Sequence, residues 1–190
     1  MTSPLDARPI VVAVAGPNGA GKTTFYAAHL ERVGLRFVNA DELARELEVD
    51  AYEAAEVAKQ LREALLAQGE SFVFETVFSD PVGDKLEFLL RASARGYTVV
   101  LCFIGLDSPE LCDERVAMRV LQGGHDVPTE KLVARYPRTL ENLARAIREL
   151  PHVLVFDNSD LLEPFRKVAE LEHGKPVVLN RPLPRWVPWP

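Results

Sequence analysis

Residues 16–23 read GPNGAGKT, which matches the spacing G-x-x-x-x-G-K-[ST]. These residue types in this order suit a narrow chemistry. Gly16, Gly19 and Gly21 allow consecutive backbone N–H groups to turn inward around phosphate oxygens, with Pro17, Asn18 and Ala20 as spacers. The Lys22 ammonium can reach the β- and γ-phosphates of a nucleotide, and the Thr23 hydroxyl can ligate Mg²⁺. Thr24 completes the nucleotide-contacting set in the first turn of the helix that follows, whose N-terminus favours negative charge. An apolar run precedes the stretch and a helical pattern follows it, which is the context a phosphate cradle needs.

Binding a nucleotide does not say what it is used for. A transporter-type ATPase would carry an apolar strand ending in Asp-Glu, but the nearest candidate, VLVFDN, ends in Asp157 and Asn158. A GTPase would carry N-K-x-D for guanine, and that tetrapeptide does not occur. Phosphoryl transfer needs a carboxylate near the γ-phosphate and cations to offset charge in the transition state. Asp41 ends the segment FVNAD and can serve as that base or in the metal shell, while also being a good helix cap. Glu75 and Thr76 end the segment FVFET, where period-2 alternation puts Phe72 and Phe74 on one side and Val73 and Glu75 on the other. A glutamate closing an apolar strand points to substrate hydrogen bonding, with a structural ion pair as the competing role.

The cations come in two pairs. Arg115 and Arg119 are four residues apart and Arg135 and Arg138 three apart, so each pair shares a helix face at about 6 Å. Between them lies QGGHDVP, residues 122–128, which reads as the glycine hinge of a lid that brings arginines to phosphate. His125 has no second His or Cys at metal-ligand spacing and reads as a loop hydrogen-bonder. Asp157 and Asn158 suit either a turn or the neighbourhood of an adenine.

The elements that must position these residues alternate along the chain. Buried strands are predicted at 10–16, 35–40, 71–78, 97–106 and 152–159. Helices are predicted from about Lys22 to Val33, over 51–68 with Ala54, Val57, Leu61 and Leu65 inward, and from an Asp80 cap with Pro81 in the first turn to Gly96. Further helices begin at Ser108-Pro109, run over 129–149 with a kink or break near Pro137, and follow the fifth strand through about Glu172. KPVVL suggests an added edge strand. The fold class is α/β: a doubly wound, mostly parallel five-stranded sheet in one domain over 1–190. Residues 1–9 form a tail, 115–138 a lid region, and 180–190 an arm in which Trp186 and Trp189 cover apolar surface.

Composition sets the outer bounds. The chain has 190 residues, 47% hydrophobic and 26% charged, with net charge −6 and pI near 5.3. An acidic chain weighs against nucleic acid as a partner, which demands a basic surface. Residues 115–148 nonetheless carry seven basic residues against three acids, which suits either an anionic ligand or a solvated helix surface, the latter being the reading for Arg145 and Arg148. Cys102 and Cys112 form no metal or disulfide pattern. No run approaches the ~18 apolar residues of a membrane span. With no leader signal in MTSPLDARP, cytoplasm is the default location.

Taken in order, GPNGAGKTT, NAD, FET, RVLQGGHDVP and RYPRTLENL resemble the zeta-toxin family of P-loop kinases over residues 10–158. Founding members phosphorylate a sugar hydroxyl of UDP-N-acetylglucosamine. The resemblance implies an adenylate-kinase-like P-loop fold with an arginine-bearing lid, ATP and Mg²⁺ as cofactors, and a small-molecule acceptor such as a nucleotide-sugar. It also implies an antitoxin-like protein partner. By position, Asp41 resembles the catalytic aspartate, Glu75 a substrate contact, and the arginines around GGH the γ-phosphate binders. Two rivals remain: a polynucleotide or nucleoside 5′-kinase, and a nucleotide-binding module without turnover.

Overall fold

The computed structural model describes residues 4–121, 123 and 127–189. Seven strands form one sheet in the order β2-β3-β1-β4-β5-β6-β7. They are β1 (Ile10–Ala15), β2 (Arg36–Val38), β3 (Phe72–Thr76), β4 (Thr98–Gly105), β5 (His152–Asp157), β6 (Arg166–Glu172) and β7 (Lys175–Leu179). The first five are parallel, and β6 and β7 extend the sheet antiparallel. β1 is central, flanked by β3 and β4, and every one of its residues is buried, as its unbroken apolar run requires.

Helices cover both faces. α1 opens as Lys22–Phe25, passes through a π turn at Tyr26–Leu30 and closes in a 3₁₀ turn at Glu31–Val33. With α5 (Pro109–Leu121) it covers the face built from Val12, Val14, Val73, Cys102 and Ile104. α3 (Ala51–Ala67), α4 (Asp84–Ala94) and α6 (Thr129–Glu149) cover the other, where Phe72, Phe74, Leu101 and Val153 meet Leu86, Leu89, Leu143 and Ile147. The short α2 (Ala40–Leu47) connects β2 to α3.

The α/β sheet, mostly parallel with helices on both faces, matches the expected class, with several differences. The predicted helix after β5 is instead β6, which pairs with β5 and buries Val168, Ala169 and Leu171, and it makes with β7 a hairpin turned by Gly174 at φ 75°. That raises the strand number to seven. α4 begins at Asp84 behind Gly83, not at an Asp80 cap, so residues 77–83 form a loop over the strand ends. Finally, α3 is rotated from the predicted stripe: Val57 is 36% exposed while Ala54, Ala58, Arg62 and Leu65 face inward. α6 runs unbroken through Pro137.

The carboxyl ends of the parallel strands are held from behind by the C-terminal arm. Trp186 stacks on β4 where Gly105 leaves no room for a Cβ, and its Nε1 donates to Asp157 Oδ1 at 3.3 Å. Trp189 and Leu183 pack on the same cluster. Gly105→Ala forces the indole off the sheet. We expect a Tm lower by roughly 4–10 °C, from about 2–3 kcal/mol of lost packing, with red-shifted tryptophan emission. An unchanged emission maximum would show that the arm does not depend on this seat.

Candidate active site

The glycine-rich loop leaves β1 through Gly16 (φ 147°), where a Cβ would collide with the Ile104 carbonyl oxygen of β4. Farther on, a Cβ at Gly19 would stand 2.8 Å from the Cys112 carbonyl oxygen of α5. The loop therefore lies in backbone contact with two neighbours, which only glycine permits. Gly21, at φ 81°, turns the chain into α1. Buried Asn158 fastens the loop from beyond β5: Nδ2 donates to Ala20 O at 2.9 Å, and Oδ1 accepts from Phe165 N at 3.2 Å.

Lys22 lies buried at 7% exposure, its Nζ donating to Pro17 O at 3.1 Å. Burial pulls its pKa below the ordinary lysine value, and the charges of Glu75 and Asp41 partly offset this. Glu75 Oε1 is 3.8 Å from the ammonium. Glu75 Oε2 accepts from Thr23 Oγ1 at 2.8 Å and from Asn39 Nδ2 at 3.1 Å. One carboxylate at the end of β3 thus ties the first turn of α1 to the residue after β2. Asn39 has a second task, because its Oδ1 accepts from Asp41 N at 2.8 Å and so caps α2. This cap uses the Asp41 backbone and leaves its exposed carboxylate at the cleft.

That cleft measures about 650 Å³. At one end it is lined by Asn18, Gly19, Lys22, Asn39, Asp41 and Glu75. Its other end lies between α3, the 76–81 loop and α6, where Lys59, Arg62, Lys85, Lys131, Arg135 and Arg138 bring positive charge. The loop is pinned by α6: Asn142 Nδ2 donates to Phe78 O at 2.9 Å and to Asp80 O at 3.0 Å, and Thr139 Oγ1 donates to Val77 O at 3.2 Å. Phe78 is held at φ 61°, a left-handed conformation costly for an aromatic residue. In return the loop delivers Thr76, Ser79 and Asp80 to the cleft wall.

The structure thus brings the glycine-rich loop, Asp41, Glu75, Thr76, Arg119, Arg135 and Arg138 around one cavity. Arg115 is turned elsewhere, with Nη2 donating to Ser159 O at 3.1 Å. Asp157 is occupied by Arg166, Ser159 and Trp186, so it and Asn158 hold the scaffold. Gln122, Gly124, His125 and Asp126 of the predicted hinge lie outside the described residues. Cys112 sits against the glycine-rich loop, and burial pushes its thiol up to about 12, so it is no nucleophile near neutral pH. Sequence reasoning missed Asn39 as the link between Glu75 and α2, Asp80 as a wall residue, and Arg62. For Arg62 a signal existed: it falls four residues after Ala58 on the inward stripe.

Comparison with known proteins bears on the family and the fold. A family model described as an AAA domain matches residues 11–143. No curated protein sequence matches the chain. Among solved structures, the AvrRxo1-ORF1:-ORF2 complex with ATP superposes with a TM-score of 0.69 at 19% identity, over 92% of this chain and 62% of that one. The chain therefore spans less than two thirds of that structure's length. A chain of the PezAT chromosomal toxin-antitoxin system of Streptococcus pneumoniae gives 0.61 at 17% identity, covering 90% of this chain and 74% of that one. Shikimate kinase from Acinetobacter baumannii, in complex with shikimate, gives 0.51 at 16% identity over 83% and 89%.

The Asn39 amide is what allows Glu75 to sit beside the α2 cap. Asn39→Asp keeps a capping oxygen but sets a second carboxylate against Glu75. Near pH 7 we expect a Tm lower by about 3–8 °C, from a repelling pair and a lost bond together costing about 1–3 kcal/mol. The crowded carboxylate's pKa rises in the folded state, so the deficit shrinks as pH falls below about 5. Equal stability of both proteins at pH 7 would show that the amide-carboxylate bond contributes nothing.

Proposed function

Because the chain belongs to that AAA domain family and its glycine-rich loop is shaped as a phosphate cradle, we propose that it is an ATP-dependent kinase. In this reading it transfers the γ-phosphoryl group to a hydroxyl of a small molecule, with nucleotide-sugars such as UDP-N-acetylglucosamine the first class to test. The observation that carries it is that Asp41 and Lys22 border the same cleft and sense each other electrostatically, with a chamber for a second molecule beyond them. A similar structure solved with ATP supports ATP as the donor.

Each residue then has a task its position allows. The loop N–H groups and the α1 N-terminus receive the α- and β-phosphates. Lys22 exchanges its present contacts with Pro17 O and Glu75 for phosphate oxygens, which give a desolvated ammonium a closer counter-charge. The donors at Thr23 fit Mg²⁺, since a hydroxyl backed by the Glu75 carboxylate is an all-oxygen set. When bound with the nucleotide, that ion neutralises charge on the β- and γ-phosphates. In this reading Glu75 serves the metal and the cradle more than the acceptor. Asp41 accepts the acceptor's hydroxyl proton as its oxygen attacks. Arg119, Arg135 and Arg138 offset charge on the transferred group, each such arginine being worth up to about 10³–10⁵ in rate. Arg115, fixed to Ser159, braces the nucleotide side of α5. By analogy with the PezAT toxin-antitoxin system among the similar structures, an antitoxin-like protein closing the cleft is the macromolecular partner we propose.

Incubation with γ-labelled ATP and a panel of UDP-sugars, nucleosides and oligonucleotides tests this directly. We expect label in a small-molecule product, lost at least 10³-fold in Asp41→Asn while ATP binding survives. Label on oligonucleotide ends would support the 5′-kinase instead, and ATP binding without any transfer would support a regulatory module. A second expectation concerns the metal: Glu75→Gln lowers Tm, because buried Lys22 loses its counter-charge, and at a temperature where both proteins are fully folded it raises the Mg²⁺ concentration for half-maximal activity severalfold. An unaltered Mg²⁺ requirement would remove Glu75 from the metal shell.

A further inference from the structure

Among the described residues, Arg62 is a cation without an ion-pair partner. It sits on the inward stripe of α3, 9% exposed, yet it borders the cleft. Its guanidinium lies over two ring faces, with Cζ 5.1 Å from the Phe74 centroid and 5.8 Å from that of Phe88. Nε is buried with no hydrogen-bond partner, and among the described residues the guanidinium enters no ion pair. The two acids that sense its charge are committed elsewhere: Glu63 is paired with Arg91, and Glu56 accepts from Gln60 at 3.2 Å. Burial accordingly depresses its pKa, against the smaller opposing effects of Glu63 and Glu56. A buried, uncompensated charge is among the costliest features a core can carry, and ring faces replace only part of its hydration. A neutral side chain of similar length would fill the same space without that cost.

The second observation lies in the same cleft. Both carboxylate oxygens of Asp80 are buried without a hydrogen-bond partner, and its nearest recorded cation is Lys85 Nζ at 3.9 Å. The loop that presents Asp80 is held by Asn142 and by the strained Phe78, so its placement is enforced. Within the chamber there are thus a planar donor group lacking an acceptor and an acceptor group lacking donors.

We propose that the phosphoryl acceptor carries an anionic group, a phosphate or a carboxylate, that docks on Arg62, while a hydroxyl or amine of the same molecule donates to Asp80. This rests on the kinase reading and narrows it: the acceptor is an anionic alcohol, not a neutral sugar. Arg62 selects the substrate and takes no part in the transfer. The planar fork of a guanidinium fits two oxygens of either anion, so phosphate and carboxylate share one chemistry here.

The test uses the full chain with saturating ADP and Mg²⁺, so that the phosphate cradle is filled. Inorganic phosphate or acetate is titrated against chloride at matched ionic strength, in wild type and in Arg62→Met, with Tm as the readout. Wild type should rise by about 3–5 °C at a tenfold excess over Kd for at least one of the two anions. The anion that acts identifies the acceptor as phosphorylated or carboxylated. Arg62→Met should match or exceed wild-type Tm without anion, and should not respond to either. No anion-specific rise in wild type, an equal rise in Arg62→Met, or an Arg62→Met protein several degrees less stable without anion would each overturn the proposal. The readout needs no turnover. An anion response with no phosphoryl transfer leaves this site standing and removes the kinase reading, while transfer to a neutral acceptor at equal rates in both proteins does the reverse.

Discussion

A buried ammonium must be given negative company, and much of the architecture around Lys22 follows from that constraint. Among the described residues its close partners are the Pro17 carbonyl and the Glu75 carboxylate, the latter at ion-pair distance. Thr23 and Asn39 both donate to the other oxygen of that carboxylate. Through those bonds the carboxylate joins the end of β3 to α1 and to the end of β2, and through Asn39 it fixes the start of α2 and the backbone of Asp41. The arrangement is stable enough to fold and still short of good anionic contacts, which is the condition for binding phosphate tightly.

The rest of the molecule acts to keep that arrangement rigid. Asn158 secures the glycine-rich loop to the segment beyond β5, and Asp157 beside it is held by Trp186 of the C-terminal arm. On the other side of the cleft, α6 pins the 76–81 loop through Thr139 and Asn142. Buried side-chain amides bonded to backbone fix geometry more strictly than apolar packing, because leaving them unpaired costs about 1–3 kcal/mol. The two arms of the cleft are therefore both braced by buried asparagines, while the cations along α6 face the space between them.

How much of this was legible in the residues depends on whether the signal was local. The glycine-rich loop and its flanking strand and helix are contiguous, and their chemistry is readable outright. The side of β3 on which Glu75 lies followed from period-2 alternation, since Val73 joins the α1 face and Phe72 and Phe74 the other. What failed needed tertiary information. The segment 166–172 has no helix breaker, and only its pairing with β5 makes it a strand. In α3, Val57 and Leu61 are the more apolar choice, so the stripe Ala54-Ala58-Arg62-Leu65 was passed over, and with it the buried arginine. Asn39 offered no signal, because its value lies in two bonds to residues on other elements or across a cap. Arg115 looked like a partner of Arg119, but its helix position also reaches the Ser159 carbonyl, a contact 44 residues away in the chain.

The central claim is that the cradle, Asp41 and the cationic chamber form one phosphoryl-transfer site. A crystal structure with ADP, Mg²⁺ and aluminium fluoride tests it most directly. We predict the fluoride complex next to the ADP β-phosphate, touching Lys22 and at least one of Arg119, Arg135 and Arg138, with its open face toward Asp41. ADP bound with its phosphates directed away from Asp41, or a fluoride complex that none of these cations touches, would contradict the account.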